Sequence, residues 1–103
     1  MTWAAATKAE VEKLLVEERA GIAPARLALI ERYRVEPYAV IFERFDGDEQ
    51  AFVVARAGGY VAFFDDVEEI FGTAREAGGR LFDCAMYGNL ALTIGELHRR
   101  AGA

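Results

Sequence analysis

Gln50-Ala51-Phe52-Val53-Val54-Ala55-Arg56-Ala57-Gly58-Gly59-Tyr60-Val61-Ala62-Phe63-Phe64 carries the strongest structural signal in the chain. Its two arms are rich in β-branched and aromatic residues, which suit a pleated, packed surface. Gly58-Gly59 sits between them, and a two-residue type I′ turn needs positive φ at both central positions. The stretch therefore reads as a β-hairpin with strands over residues 50–56 and 60–64. That register sets Arg56 opposite Val61, Val54 opposite Phe63 and Phe52 opposite Asp65.

Upstream, residues 38–45 form another strand, joined to the hairpin through the turn-forming run Asp46-Gly47-Asp48-Glu49. A four-residue loop there places Ile41 opposite Val54 and Glu43 opposite Phe52. Downstream, Asp65-Asp66-Val67-Glu68-Glu69-Ile70-Phe71 leaves the third strand as one helical turn capped by Asp65 or Asp66. Gly72, Gly78 and Gly79 then interrupt the pattern. Residues 80–86 alternate, with Phe82, Cys84 and Met86 on one side, and are read as a fourth strand.

Helices flank this sheet. Thr7-Lys8-Ala9-Glu10 has the form of a capping box. Val11, Leu14 and Leu15 follow at helical spacing, so a helix is expected over residues 8–20, ended by Gly21. Pro24 suits the first turn of a second helix, and Pro37 is read as its stop. Asn89 caps a last helix whose stripe is Leu90, Ile94 and Leu97, with Arg99 and Arg100 in the final turn. The expected fold is α+β in the order ααββββα: an N-terminal helical hairpin, a four-stranded antiparallel meander and a C-terminal helix, in one domain over residues 1–103.

Composition narrows the function classes. The chain has 103 residues, a formal net charge of -5 and a single cysteine, Cys84. An acidic domain is a poor partner for nucleic acid or anionic membrane, because affinity there comes from cations meeting phosphates. One thiol cannot make an internal disulfide, and no apolar stretch is long enough for a signal or a membrane span, so cytoplasmic location is expected. Both sheet faces carry apolar centres. One holds Val40, Phe42, Val53, Ala55, Ala62 and Phe64. The other holds Ile41, Phe52, Val54, Val61 and Phe63, rimmed by Glu43, Arg56 and Asp65. Either helices or a second copy cover both faces, or one face stays open to a partner.

No residue pattern names a reaction. His98 and Cys84 could form a base and nucleophile, but neither an orienting group nor an oxyanion site accompanies them. His98 reads better as a cation at a helix C-terminus and Cys84 as a small hydrophobe. Asp46-Gly47-Asp48-Glu49 lacks the spacing of a calcium loop, and the glycine pairs lack the context of a phosphate loop. No catalytic residue, metal ligand or cofactor is assigned, and the chain is read as a non-enzyme. What remains is two acidic clusters: Asp46, Asp48 and Glu49, then Asp65, Asp66, Glu68 and Glu69. In a meander both fall at one end of the sheet, where they could steer a basic protein partner. Tyr60, Tyr87 and Trp3 are candidate aromatic anchors.

The run Phe52-Val53-Val54-Ala55-Arg56, Gly58-Gly59-Tyr60-Val61 and Phe63-Phe64-Asp65-Asp66-Val67-Glu68-Glu69-Ile70-Phe71, followed by a short strand and a terminal helix, resembles small bacterial immunity proteins of polymorphic toxin and contact-dependent inhibition systems. The resemblance is one of organisation over about the C-terminal two thirds, and it transfers no residue by position. It implies a cytoplasmic antidote that occludes a basic toxin domain. Two other readings stand beside it: a homodimeric structural or regulatory domain pairing through an open sheet face, and a small-ligand binder with a pocket between helices and sheet.

Overall fold

The computed structural model describes residues 6–44 and 47–102. Trp3 and Asp46 lie outside them. Helices α1 (Lys8–Arg19) and α2 (Pro24–Tyr33) come first. Five strands follow: β1 (Arg34–Arg44), β2 (Gly47–Ala57), β3 (Tyr60–Asp65), β4 (Ile70–Ala77) and β5 (Arg80–Gly88). Helix α3 (Leu90–Arg100) comes last. The fold is α+β, with one strand more than the sequence reading supplied.

The strands pair in chain order and close into a barrel. Hairpins reverse direction each time, so with an odd number of strands the first and last run the same way. The closure is accordingly parallel, and it is slight. Ile41 lies opposite Arg80, and the Ile41 amide donates to the Gly79 carbonyl at 2.8 Å. The middle of β1 thus meets the start of β5, so the strands are staggered around the barrel.

The additional strand, β4, occupies the region read as a helical turn and a glycine-broken segment. Asp65 does act as a cap, but of a tight hairpin turn: its Oδ1 accepts from the Val67 and Glu68 amides at 3.0 and 3.5 Å. Glu69 completes the reversal at φ +57°. Gly72, which looks like a breaker, is a strand residue with no room for a side chain. A Cβ there would stand 2.5 Å from the Ala85 carbonyl and 3.1 Å from the Phe63 ring. Pro37 does not end α2, which stops at Tyr33. It lies within β1, where the register against β2 shifts between Arg34 and Tyr38, one of the few strand positions that tolerates proline.

The register differs from expectation at one point with large consequences. Arg56 faces Val61, as the Gly58-Gly59 turn requires, but Phe63 faces Val53 rather than Val54, and Phe52 faces Phe64 rather than Asp65. A bulge between Val53 and Ala55 supplies the extra residue. The first hairpin is also tighter than a four-residue loop. Arg44 pairs with Gly47, so Ile41 faces Gln50 and Glu43 faces Asp48.

Two cores result. Val40, Ala51, Val53, Val61, Phe63, Ala74 and Leu81 form one, the barrel interior, with the Phe42 and Phe63 rings 5.3 Å apart. Phe52, Val54, Ala55, Ala62, Phe64 and Phe71 pack outward against Val11, Ile30, Tyr33, Leu90, Ile94 and Leu97 of the helices. The bulge explains why Val54 and Ala55, neighbours in sequence, share the outer core. Both sheet faces are apolar because one lines the barrel and the other lies under helices. Each fully buried Leu, Ile, Val or Phe contributes about 1.5–3 kcal/mol.

The helices are fixed by named contacts. Thr7 and Glu10 close the capping box on α1, and the Asn89 side chain accepts from the Leu92 amide at 2.8 Å to start α3. Arg19 pairs with Glu31 between α1 and α2, and Arg26 donates to the Ala91 carbonyl of α3 at 2.8 Å. Arg100, in the last turn of α3, donates to Thr73 Oγ1 at 2.9 Å and to the Asp83 carbonyl at 3.2 Å. Its guanidinium lies 4.9 Å from the Tyr60 ring centre. No helix among the described residues is long and apolar enough to cross a membrane.

Candidate functional site

Along α1, Glu10, Leu14 and Glu18 recur every four residues and form one stripe, with Val11 beside it. This stripe faces the β3–β4 turn and the junction of β5 with α3. Between them lies a cleft of about 630 Å³. Val11, Leu14, Phe64, Ile70 and Phe71 give it apolar walls, and Glu10, Glu18, Asp66 and Glu69 supply four carboxylates. Among the described residues, no lysine, arginine or histidine lines it.

Three of the carboxylates are held in place by uncharged donors. Glu10 Oε1 accepts from the Thr7 amide and hydroxyl at 3.2 and 3.1 Å. Glu18 Oε1 accepts from the Leu90 amide at 3.1 Å, an anion at the positive end of α3. Asp66 Oδ2 accepts from the Ala6 amide, while Asp66 Oδ1 is buried and has no hydrogen-bond partner among the described residues. A buried oxygen left unpaired costs about 1–3 kcal/mol and calls for a donor. The ion pairs among the described residues engage other carboxylates, so no described cation offsets the negative charge of the cleft.

A second cleft of about 530 Å³ lies between α1, α2 and the start of β1. It is lined by Glu12 and Glu36 but also by Arg19 and Arg34. Arg34 Nε is 3.1 Å from Glu31, Arg19 also pairs with Glu31, and Lys8 bonds Glu36. Its charges are balanced locally, so it expresses no preference for either sign.

The expected site residues are dispersed over several environments. Asp48 meets Arg80 at 3.2 Å, and the same guanidinium holds Glu43 at 2.7 Å across the barrel seam. Glu49 is half-buried opposite Phe42 and has a partner of its own. Asp65 is 1 % exposed and serves the hairpin turn. Tyr60 is half-buried beneath Arg100. Glu68 and Glu69 are exposed on the β3–β4 turn, and Tyr87 is half-buried. Of the second cluster, Asp66 and Glu69 reach the cleft, whereas Asp48 and Glu49 do not line it. Glu10 and Glu18 were legible only as the polar side of α1. Their four-residue spacing about Leu14 is the signal that places them together.

The Cys84 and His98 pair has chemistry that runs against nucleophilic catalysis. Burial, the largest influence, and Asp83 push the Cys84 thiol up, against the opposing pull of Arg100. A nucleophilic cysteine needs the opposite shift. His98 Nδ1 is engaged with the Tyr33 hydroxyl at 2.7 Å. Among the described residues, no group of three or more His, Cys, Asp or Glu side chains is arranged to hold a metal ion.

Comparison with known protein families, curated proteins and solved structures finds no match to this chain.

Proposed function

We propose that this chain is a non-catalytic protein-binding module that captures a basic partner on the cleft between α1 and the β3–β4 turn. The observation that carries this reading is the set of four carboxylates on apolar walls with no cation among the described lining residues. Uncompensated charge of one sign in a low-dielectric recess focuses the field and speeds encounter with an opposite charge. Capture would occlude the partner's own basic surface by steric and electrostatic means. A toxin domain with a basic active-site cleft, met in the cytoplasm, is the partner class that the immunity-protein resemblance favours.

Affinity selection from a random peptide-display library tests this without knowing the partner. Selected peptides should be rich in Arg and Lys beside apolar residues, and Glu69→Lys should weaken them several-fold. Peptides with no excess of basic residues, or binding indifferent to Glu69→Lys, would contradict the reading.

A second reading is favoured by β5. Phe82 and Met86 are 46 % and 37 % exposed, and among the described residues β5 pairs with β1 at Ile41 and Arg80 alone. Pairing of two copies along this strand would cover both side chains. Sedimentation at micromolar concentration separates the two: self-association abolished by Phe82→Lys supports the dimer, and a monomer eliminates it.

A further inference from the structure

We infer that the second cleft, between α1, α2 and the start of β1, binds a short peptide with free termini and apolar side chains, at a site separate from the acidic cleft. The peptide amine lies at Glu12 and Glu36, and its carboxylate at Arg19 and Arg34. Three features select that ligand. First, the charges at the mouth are sorted by sign along α1. Glu31 is shared by Arg19 and by Arg34, whose Nε lies 3.1 Å away, which brings two guanidiniums together around one carboxylate. Lys8 is shared by Glu36 and by Glu12, 3.9 Å from the latter, which brings two carboxylates together around one ammonium. Within these groups one end carries excess positive charge and the other excess negative charge, although the two balance over the cleft. Glu12 and Arg19 are seven residues apart on α1, about 10 Å at the helical rise. Arg34 and Glu36 are two residues apart on β1, about 7 Å. An extended peptide spans about 3.3–3.6 Å per residue, so the termini of two or three residues match that separation. A fatty acid would meet only the basic end, and a single amino acid holds both charges on one carbon.

Second, the floor is apolar: Leu15, Val16, Val35 and Val54 line it, with Ile30 and Leu90 beneath. Val16 is 70 % exposed, apolar area that a ligand covers. The first and third side chains of an extended tripeptide point the same way and both reach this floor. Third, β1 has backbone to offer. Arg34 pairs with Ala55 and Tyr38 with Val53, so Val35, Glu36 and Pro37 share one opposing residue, Val54. The amides and carbonyls of Val35 and Glu36 thus stand outside the described β1–β2 register, and a second peptide backbone supplies the partners such groups need.

The test is an NMR titration of the whole chain with Leu-Ala-Leu at about pH 6, where the peptide amine is protonated. The methyl signals of Leu15, Val16 and Val35 report on the cleft. Ac-Leu-Ala-Leu, Leu-Ala-Leu-NH2 and the doubly capped Ac-Leu-Ala-Leu-NH2 remove one or both end charges. Saturable shifts at these methyls are expected with the free peptide, with several-fold weaker binding when either end is capped and the weakest when both are. Arg34 and Glu36 are exposed, and exposed ion pairs add little stability, so Arg34→Gln and Glu36→Gln should fold. Glu36→Gln should weaken the free peptide several-fold and leave the N-acetylated one unchanged. Arg34→Gln should weaken the free peptide several-fold and leave the C-amidated one unchanged. Equal affinity of the free and doubly capped peptides would overturn the assignment. So would the absence of saturable shifts at millimolar peptide, shifts confined to Val11, Leu14 and Ile70 of the acidic cleft, or variant losses that ignore which end is capped.

Discussion

A methyl group on Gly72 would press on the Ala85 carbonyl, a backbone atom that cannot rotate away, and on the Phe63 ring in the barrel interior. Gly72→Ala is therefore expected to cost about 1–3 kcal/mol in urea denaturation, the range for overpacking a filled core. An unchanged midpoint would mean the strands can part there without loss. Cys84 is exposed on β5 rather than packed away as a small hydrophobe, yet its surroundings still desolvate the thiol. Its thiol is raised, first by burial, so the folded state holds the proton more tightly than the unfolded chain. Stability from this group is present below the ordinary thiol range and is lost as pH rises through the raised value. Alkylation by iodoacetamide at mildly alkaline pH should be slower in the native protein than in urea, because less thiolate is present, and equal rates would refute the raised thiol. Tyr38 is raised by burial and then by Glu76, with Arg56 opposing. The sign is the same, so its contribution is complete below about pH 10, the ordinary phenol value, and fades above it. Ultraviolet titration should show one late-ionising phenol that Tyr38→Phe removes.

Each element follows its local sequence except where tertiary contacts overrule it. The capping box at Thr7, the Asn89 cap and the Gly58-Gly59 turn were legible because each is a short-range arrangement of specific donors or positive φ. Strand β4 was not, because Gly72, Ala74, Glu76 and Ala77 lower its β-propensity and the run lacks clean alternation. It is held by ladders to β3 and β5 on both sides. The bulge at Val54 likewise carries no local mark and is fixed by the need to fill two cores. The cleft was half legible: Asp66 and Glu69 stood out as acidic, while Glu10 and Glu18 needed the docking of α1 to become neighbours. Closure of the barrel rests on a short parallel pairing at Ile41 and Arg80, reinforced by the Arg80 side chain, which joins Glu43 and Asp48. Arg80→Ala should therefore speed amide exchange at Ile41 while leaving Val61 and Phe63 protected. Uniform acceleration would show the seam and the barrel to be one cooperative unit.

At the scale of the molecule, a staggered barrel with its own core is clasped on its outer face by three helices, and α1 stands off the β3–β4 turn far enough to leave the acidic recess. The stagger also separates the two acidic clusters by function. Asp48 is drawn into the seam by Arg80, and only the second cluster contributes to open negative potential. Capture by such a potential must weaken with salt, since screening shortens from about 10 Å at 0.1 M to about 3 Å at 1 M. The most direct measurement is the affinity of one basic display-selected peptide across that salt range, for the wild-type chain and for the double variant Asp66→Asn, Glu69→Gln. The account predicts a steep fall in wild-type affinity with salt and a markedly shallower one in the variant. Parallel salt slopes in the two proteins would contradict it.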